Sequence, residues 1–487
     1  MRNALRCLSA AWILIAFSGL AFGASVEEGK IPITTSSDEA LEHYLAAREL
    51  QDNLQIQESL GLLQQAVTED PEFALAHMAL ALAEPTVQGF FERFAKATAL
   101  VDKVSDGERL WILGFQAGVN ADPMRQRDYY QQLVAAFPRD ERTYNLLGNH
   151  YFGLQEYVAA STLFEKAIAI NPEYPQPYNQ LGYAHRFLGN YKEAENAFKR
   201  YIELIPDDPN PYDSYAELLL KMGRFEEAIE SYKKALETNS LFVASHTGIA
   251  TCLNLLDRHE DARQQLKLLR SSARNEADTR AATFAEIVSY VDEGSFDKAL
   301  DTVKKRYEDA RKSKDTPAMA ADLVLLGNIL LEVNNPDEAL AKFQESVQIM
   351  QDSGLSDETI ANAELGHFYN AARVAVQQGE IETAKSNAAD YRSRAETRGN
   401  PFQLRLAHEI AGIIALEEEE FDTAISELQQ ANQQNPYNLY RISLAYRGKH
   451  DPENSKLWCE NAANFNGINN LNYAFIRRHA LDMLKSM

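Results

Sequence analysis

A spacing of 34 residues constrains this chain more than any other feature. Gly114, Gly148 and Gly182 stand 34 apart, and so do Pro138, Pro172 and Pro206. Ala160, Ala194 and Ala228 keep the step, as do Phe164, Phe198 and Tyr232, and again Tyr144, Tyr178 and Tyr212. Five residue classes in one register define an internal repeat. A unit of that length is one supersecondary element, which buries its apolar face only against its neighbours. Within each unit the apolar residues recur at helical spacing. Small residues allow two helices to approach closely, and the aromatics are expected to fill the gaps between successive hairpins. Gly189 and Gly223 fall where a left-handed turn is needed, and proline ends the second helix. A length of 487 residues would otherwise suggest about three domains at roughly 100–200 residues each. The period replaces that division with a stack of hairpins.

The residues resemble the tetratricopeptide repeat family. Its motif has an aromatic at position 4, Leu-Gly at 7–8, Ala at 20, an aromatic at 24, Ala at 27 and Pro at 32. Unit 141–174 supplies Tyr144, Leu147, Gly148, Tyr151, Ala160, Phe164, Ala167 and Pro172. Unit 175–208 supplies Tyr178, Leu181, Gly182, Ala194, Phe198 and Pro206, and unit 209–242 keeps Tyr212, Ala228, Tyr232 and Ala235. Weaker units extend the array to residue 40 and to residue 276, with His246 in place of the position-4 aromatic. The resemblance implies an all-α fold: a right-handed α-solenoid of helix-turn-helix hairpins with a C-terminal capping helix.

The step then changes. Ala299, Ala339, Ala384 and Ala424 hold position 20 at separations of 40, 45 and 40 residues. Gly327 and Gly412 hold position 8. The expected organisation is therefore a 34-residue array over 40–276 and a longer-period array over 277–436. A last hairpin and a capping helix fill 437–487. The cap, Leu471–Lys485, is expected to keep a solvated outer face, as the ends of open solenoids do.

Residues 1–23 read as a leader. Arg2 and Arg6 precede an apolar run from Leu8 to Phe22, with small residues at Ala21, Gly23 and Ala24, the pattern of a secretory signal peptide. A cut after Gly23 would leave 24–39 as a flexible N-terminus. The protein is expected to be exported, periplasmic or secreted. The alternative is an uncleaved N-terminal anchor in the inner membrane, facing the periplasm. No other stretch is long and apolar enough for a stable span. Cleavage removes two arginines and no acid, which moves the formal net charge from −23 to −25. That acidity argues against nucleic acid, whose phosphates call for Lys and Arg, and favours a basic partner surface. Of the three cysteines, Cys252 and Cys459 would remain. In an extended array they should be far apart, as two free thiols.

No phosphate loop, H-E-x-x-H, G-x-S-x-G or C-x-x-C occurs. Cys252 has His246 and His259 near it in sequence, but the repeat register places all three at packing or turn positions. The acids Glu417–Glu420 and the basic stretch Lys304–Lys314 read as solvated helix ends. No catalytic residue, cofactor or metal site is expected. The resemblance implies that the first helices line a concave groove. Its candidate partner-binding residues are Asn145, Asn149, Asn179, Tyr183, Arg186, Asp213 and Glu217, flanked by Thr247, Thr251 and Asn254. Amide side chains both donate and accept, so they can pair with an extended peptide backbone. The functional expectation is a non-enzymatic scaffold or assembly factor that binds another protein or a peptide segment in the groove. The alternative is a receptor or accessory subunit with a small molecule or glycan between the two arrays.

Overall fold

The computed structural model describes residues 28–52, 55–84 and 86–487. The leader read at residues 1–23, and the first part of the 24–39 segment, lie outside these. The described chain is all-α, with twenty-five helices and a single 3-10 turn at Val101–Lys103. The helices pair in sequence. The first hairpins are α1–α2 (Asp38–Asp52, Ile56–Glu69), α3–α4 (Ala74–Ala83, Val87–Ala99) and α5–α6 (Asp106–Val119, Pro123–Ala136). Next come α7–α8 (Glu141–Gly153, Tyr157–Ile170), α9–α10 (Pro175–Phe187, Tyr191–Leu204) and α11–α12 (Pro209–Lys221, Phe225–Thr238). Then follow α13–α14 (Val243–Leu255, His259–Ser271), α15–α16 (Glu276–Glu293, Phe296–Ser313) and α17–α18 (Thr316–Glu332, Pro336–Gln351). The last are α19–α20 (Asp357–Gln377, Ile381–Arg398), α21–α22 (Pro401–Glu417, Phe421–Gln430) and α23–α24 (Pro436–Gly448, Pro452–Ala463), followed by a lone α25 (Leu471–Lys485).

The motif residues explain the hairpins, with one correction. The position-24 aromatic does not chiefly fill the gap between hairpins. It packs over the position-8 glycine of its own hairpin. A Cβ on Gly148 would stand 2.5 Å from the Phe164 ring, and one on Gly182 would stand 2.6 Å from Phe198. Only where Ala216 replaces that glycine does Tyr232 turn to the next hairpin, against Gly248. The position-4 aromatic has a polar task. Tyr178 and Tyr212 donate their hydroxyls to the carbonyls of Pro172 and Pro206, six residues back. His246 and His77 place a ring nitrogen 2.9 Å from the equivalent carbonyls of Ser240 and Pro71. Imidazole substitutes for phenol because both reach the same acceptor. The turns at Gly189 and Gly223 are left-handed, with φ of 77° and 76°.

Helix length changes at α15. The helices α7–α14 run 13 or 14 residues, whereas α15–α21 run 16 to 21. The added turns lie within the helices as well as between hairpins.

The array is not open. Its course returns on itself, so that distant repeats touch. Gln55 bonds Asp208, Asn275 bonds Gln57 at 2.6 Å and Arg274 bonds Glu58 at 2.6 Å. Gln155 meets Asn432 at 2.8 Å, and the Arg405 guanidinium meets the Leu154 carbonyl at 2.7 Å. The C-terminal helix caps the array, with Asn472, Arg478, His479, Asp482 and Lys485 on its exposed outer face, and it is anchored more deeply than a surface cap. Its Tyr473, Phe475, Ile476 and Met483 are buried in the same core as Leu219, Ile249, Ile287 and Val291 of α11, α13 and α15. At about 1.5–3 kcal/mol for each large apolar side chain, this burial holds the closure firmly. Cys252 and Cys459, expected far apart, share that core, both fully buried and both free thiols.

Candidate functional site

The concave face is built by the first helix of each hairpin, and its side chains largely serve the repeats themselves. Asn145 on α7 is buried and donates to Gln176 on α9 at 2.7 Å. Tyr183 donates to Ser214 at 3.3 Å, and Arg186 bonds Glu217 at 3.1 Å while lying over the rings of Tyr183 and Phe187. Asp213 accepts the Ser245 hydroxyl at 2.6 Å. Burial pushes its carboxyl well above the usual range, with the Glu217 charge adding to the effect. Further on, Ser289 bonds Asn254 and Arg280 bonds Asp322 at 2.9 Å. The sequence step of these rungs is 31 for Asn145, Tyr183 and Arg186, 32 for Asp213, 35 for Asn254 and 42 for Arg280. It lengthens with the repeat. Residues read as a partner groove thus form a ladder that staples each hairpin to the next. Asn179 is buried, and its Oδ1 takes no donor from the described residues.

Beyond Asn179 the face already holds a piece of polypeptide, the chain's own 465–478 segment. Lys221 on α11 donates to the Phe465 carbonyl at 2.6 Å and lies 4.2 Å from the Phe465 ring centroid. Burial, with Arg186 adding a like charge, lowers this lysine to about 8. The Asn466 amide reaches back to the Lys221 carbonyl, and the Asn469 N–H donates to the Thr251 hydroxyl at 3.2 Å. Arg477 donates to the Leu255 carbonyl at 2.8 Å and pairs with Asp292 at 3.1 Å and Asp257 at 3.2 Å. Asp257, His259 and Asp292 have their ligand atoms within 4.8 Å of one another, a grouping that could hold a cation. The Arg477 guanidinium stands between the two carboxylates and supplies the positive charge. Cys252 is buried in the core, and burial pushes its thiol up to about 12, which keeps it protonated.

Among the described residues, two cavities lie against first helices. One, of about 480 Å³, lies where α5 to α7 meet the start of α21. Asn149 lines it beside Phe115, Leu146, Leu154 and Phe402, whose ring is 45% exposed. The other, of about 290 Å³, lies among α17, α19, α21 and α23, lined by Asn328, Tyr369, Arg373, Glu409, Tyr437 and Arg441 among others. Sequence reasoning missed this second site. The signal it left was Tyr-x-x-x-Arg, repeated at Tyr369–Arg373 and Tyr437–Arg441.

The tetratricopeptide repeat family model matches residues 139–207, and a model described as anaphase-promoting complex, cyclosome, subunit 3 matches residues 188–269. No curated protein matches the sequence. Among solved structures, a tetratricopeptide repeat protein from Parabacteroides merdae is 15% identical, covering 53% of this chain and 96% of that one at a TM-score of 0.36. TTC0263 from Thermus thermophilus is 24% identical, covering 39% and 99% at 0.32. YrrB, described as having an unusual peptide-binding site, is 19% identical, covering 36% and 89% at 0.25. Such TM-scores reflect local hairpin likeness only. Over residues 139–207 the chain matches the tetratricopeptide repeat family model, and the same glycine-on-aromatic hairpin recurs at Gly327 and Phe343 in α17–α18.

Proposed function

We propose that this protein is an exported, non-enzymatic scaffold that holds a segment of a partner protein on its inner face. One observation carries the reading: the first helices already hold the irregular 465–470 segment through its main chain, using Lys221 and Thr251. Such a face binds backbone with little regard to sequence. The socket lined by Asn149 and Phe402 supports an apolar anchor for the partner, since an exposed aromatic beside an apolar cavity is the usual centre of an interface. The formal charge of −23 favours a basic surface around that anchor. No helix among the described residues is long and apolar enough to cross a membrane, which is compatible with release after leader cleavage.

Affinity capture with the exported chain is expected to recover a defined protein. Phe402→Ala combined with Asn149→Ala should cut that recovery about tenfold or more without lowering the melting temperature. Equal recovery by the double variant would place the interface elsewhere. Recovery of no protein at all would sink the scaffold reading. Export is checked by N-terminal sequencing, which is expected to begin at Ala24 or Ser25. An intact Met1 would support the anchor instead.

A further inference from the structure

We infer that the cavity among α17, α19, α21 and α23 is a binding site for a compact dicarboxylic acid, a small-molecule function separate from partner binding. The argument is an inventory of donors and acceptors. Glu409 is the one carboxylate lining the cavity, and it is saturated. Its Oε1 accepts from Tyr369 at 2.9 Å, Arg441 at 3.1 Å and Asn435 at 3.3 Å. Its Oε2 accepts from Asn438 at 2.9 Å and Asn435 at 3.3 Å. The Tyr437 hydroxyl is spent on Glu332 at 3.0 Å.

The arginines are not spent. Arg373 uses Nη1 alone, on the amide oxygens of Asn328 at 2.9 Å and Asn370 at 3.3 Å. It has no carboxylate partner among the described residues. Arg441 also uses Nη1 alone, on Glu409 and Asn438. A guanidinium has five N–H donors, so Nε and Nη2 of both arginines are unclaimed by the described residues, and both side chains line the cavity. Each plane is steadied over a tyrosine ring, Arg373 over Tyr369 at 5.3 Å and Arg441 over Tyr437 at 4.1 Å. A cavity whose one carboxylate is saturated and whose two lining arginines keep open donor pairs favours a ligand that accepts. Paired N–H groups match the two oxygens of a carboxylate, and two forks match two carboxylates. The volume of about 290 Å³ lies at the small end of ligand sites, which suits a compact molecule.

The test is titration calorimetry of the full chain with succinate, citrate, the neutral isostere succinamide and a hexaglutamate peptide. Succinate or citrate is expected to bind and succinamide to fail. Arg373→Gln should weaken binding about tenfold or more at an unchanged melting temperature, and Arg373→Lys, which keeps the charge and loses the fork, should fall between. The inference is overturned if neither small acid binds, if Arg373→Gln binds as well as the parent, or if hexaglutamate binds where both small acids fail. Partner capture by Arg373→Gln should stay at the parent level, which keeps this result distinct from the scaffold reading.

Discussion

The α7–α13 repeats and the α17–α23 repeats use one hairpin plan in two ways. In the first group the helices are short, and their inner side chains reach the neighbouring repeat: Asn145 to Gln176, Arg186 to Glu217, Asp213 to Ser245. In the second the first helices run 13 to 21 residues, and the rungs tie around a cavity instead of closing it. Where the long first helices α17, α19 and α21 meet the short α23, polar groups are left that no neighbour claims in full. The repeat motif sets the hairpin, while the helix length and the returning C-terminal segment set what the inner face is free to do.

The most severe way to break this contrast is to release the segment that fills the first group. Arg477 is 6% exposed and pairs with the buried Asp292. Removing one member of a buried pair costs about 3–5 kcal/mol. Arg477→Ala is therefore expected to lower the denaturant midpoint strongly and to raise hydrogen exchange in α13, α15 and α25 together. Exchange confined to α25 would mean that the closure is not shared with the repeats.

Two glycines sharpen the contrast with opposite signs. In α9 a methyl on Gly182 would meet Phe198 at 2.6 Å, so Gly182→Ala should cost about 1–3 kcal/mol through overpacking. In α19 Gly366 lines the cavity with nothing within 4 Å. There Gly366→Ala should stabilise by up to about 1 kcal/mol through helix propensity. Melting temperatures that move in the same direction would contradict the two packings.

What the sequence showed follows from what a local motif can encode. Gly148 and Phe164, sixteen positions apart, touch within one hairpin; their spacing marked the hairpin but not which neighbour the ring packs on. The return of α25 onto α15 rests on Arg477 meeting Asp292 across 185 residues, and no period records such a contact. The residues read as a groove lie on the first helices of their hairpins, but their pairing with one another was hidden. A motif position says which face a side chain is on and is silent about whether its neighbour one repeat away carries the complementary group. Arg373 escaped notice because it lies outside the 34-residue register.

The seam between the N-terminal hairpin and α11 gives a milder, pH-dependent effect. Asp208 caps α11 and accepts from Gln55, and burial pushes its carboxyl up to about 6. The unfolded chain loses this proton near the ordinary value of 3.8, whereas the folded chain holds it to about 6. Its contribution is thus fully present at low pH and is lost as pH rises through that window. Asp208→Asn keeps the cap and removes the titration. The variant should gain stability relative to the parent as pH rises from about 4 to about 6.5, with the difference level above that. A difference independent of pH would show that Asp208 ionises normally.

The smallest effect concerns the turns. The hairpin turn is left-handed in both groups, filled by glycine at Gly189, Gly223 and Gly379 and by a side chain at Gln155, Asp257, Asn334 and Glu419, the last two with φ of 60°. A side chain in that conformation costs roughly 1–2 kcal/mol, and Asn, with its local hydrogen bonding, tolerates it better than Glu. Glu419 is exposed and stands third in a run of four acids, so its substitution disturbs no packing and relieves like-charge crowding. Glycine gives back part of the gain through the greater freedom of the unfolded chain. Glu419→Gly should therefore stabilise by about 0.5–1 kcal/mol, read as a higher denaturant midpoint at unchanged slope. The matching change Gly223→Ala should destabilise by a similar amount. If Glu419→Gly instead destabilises, the acidic run is contributing a contact in solution, and the two groups of turns differ in more than their backbone.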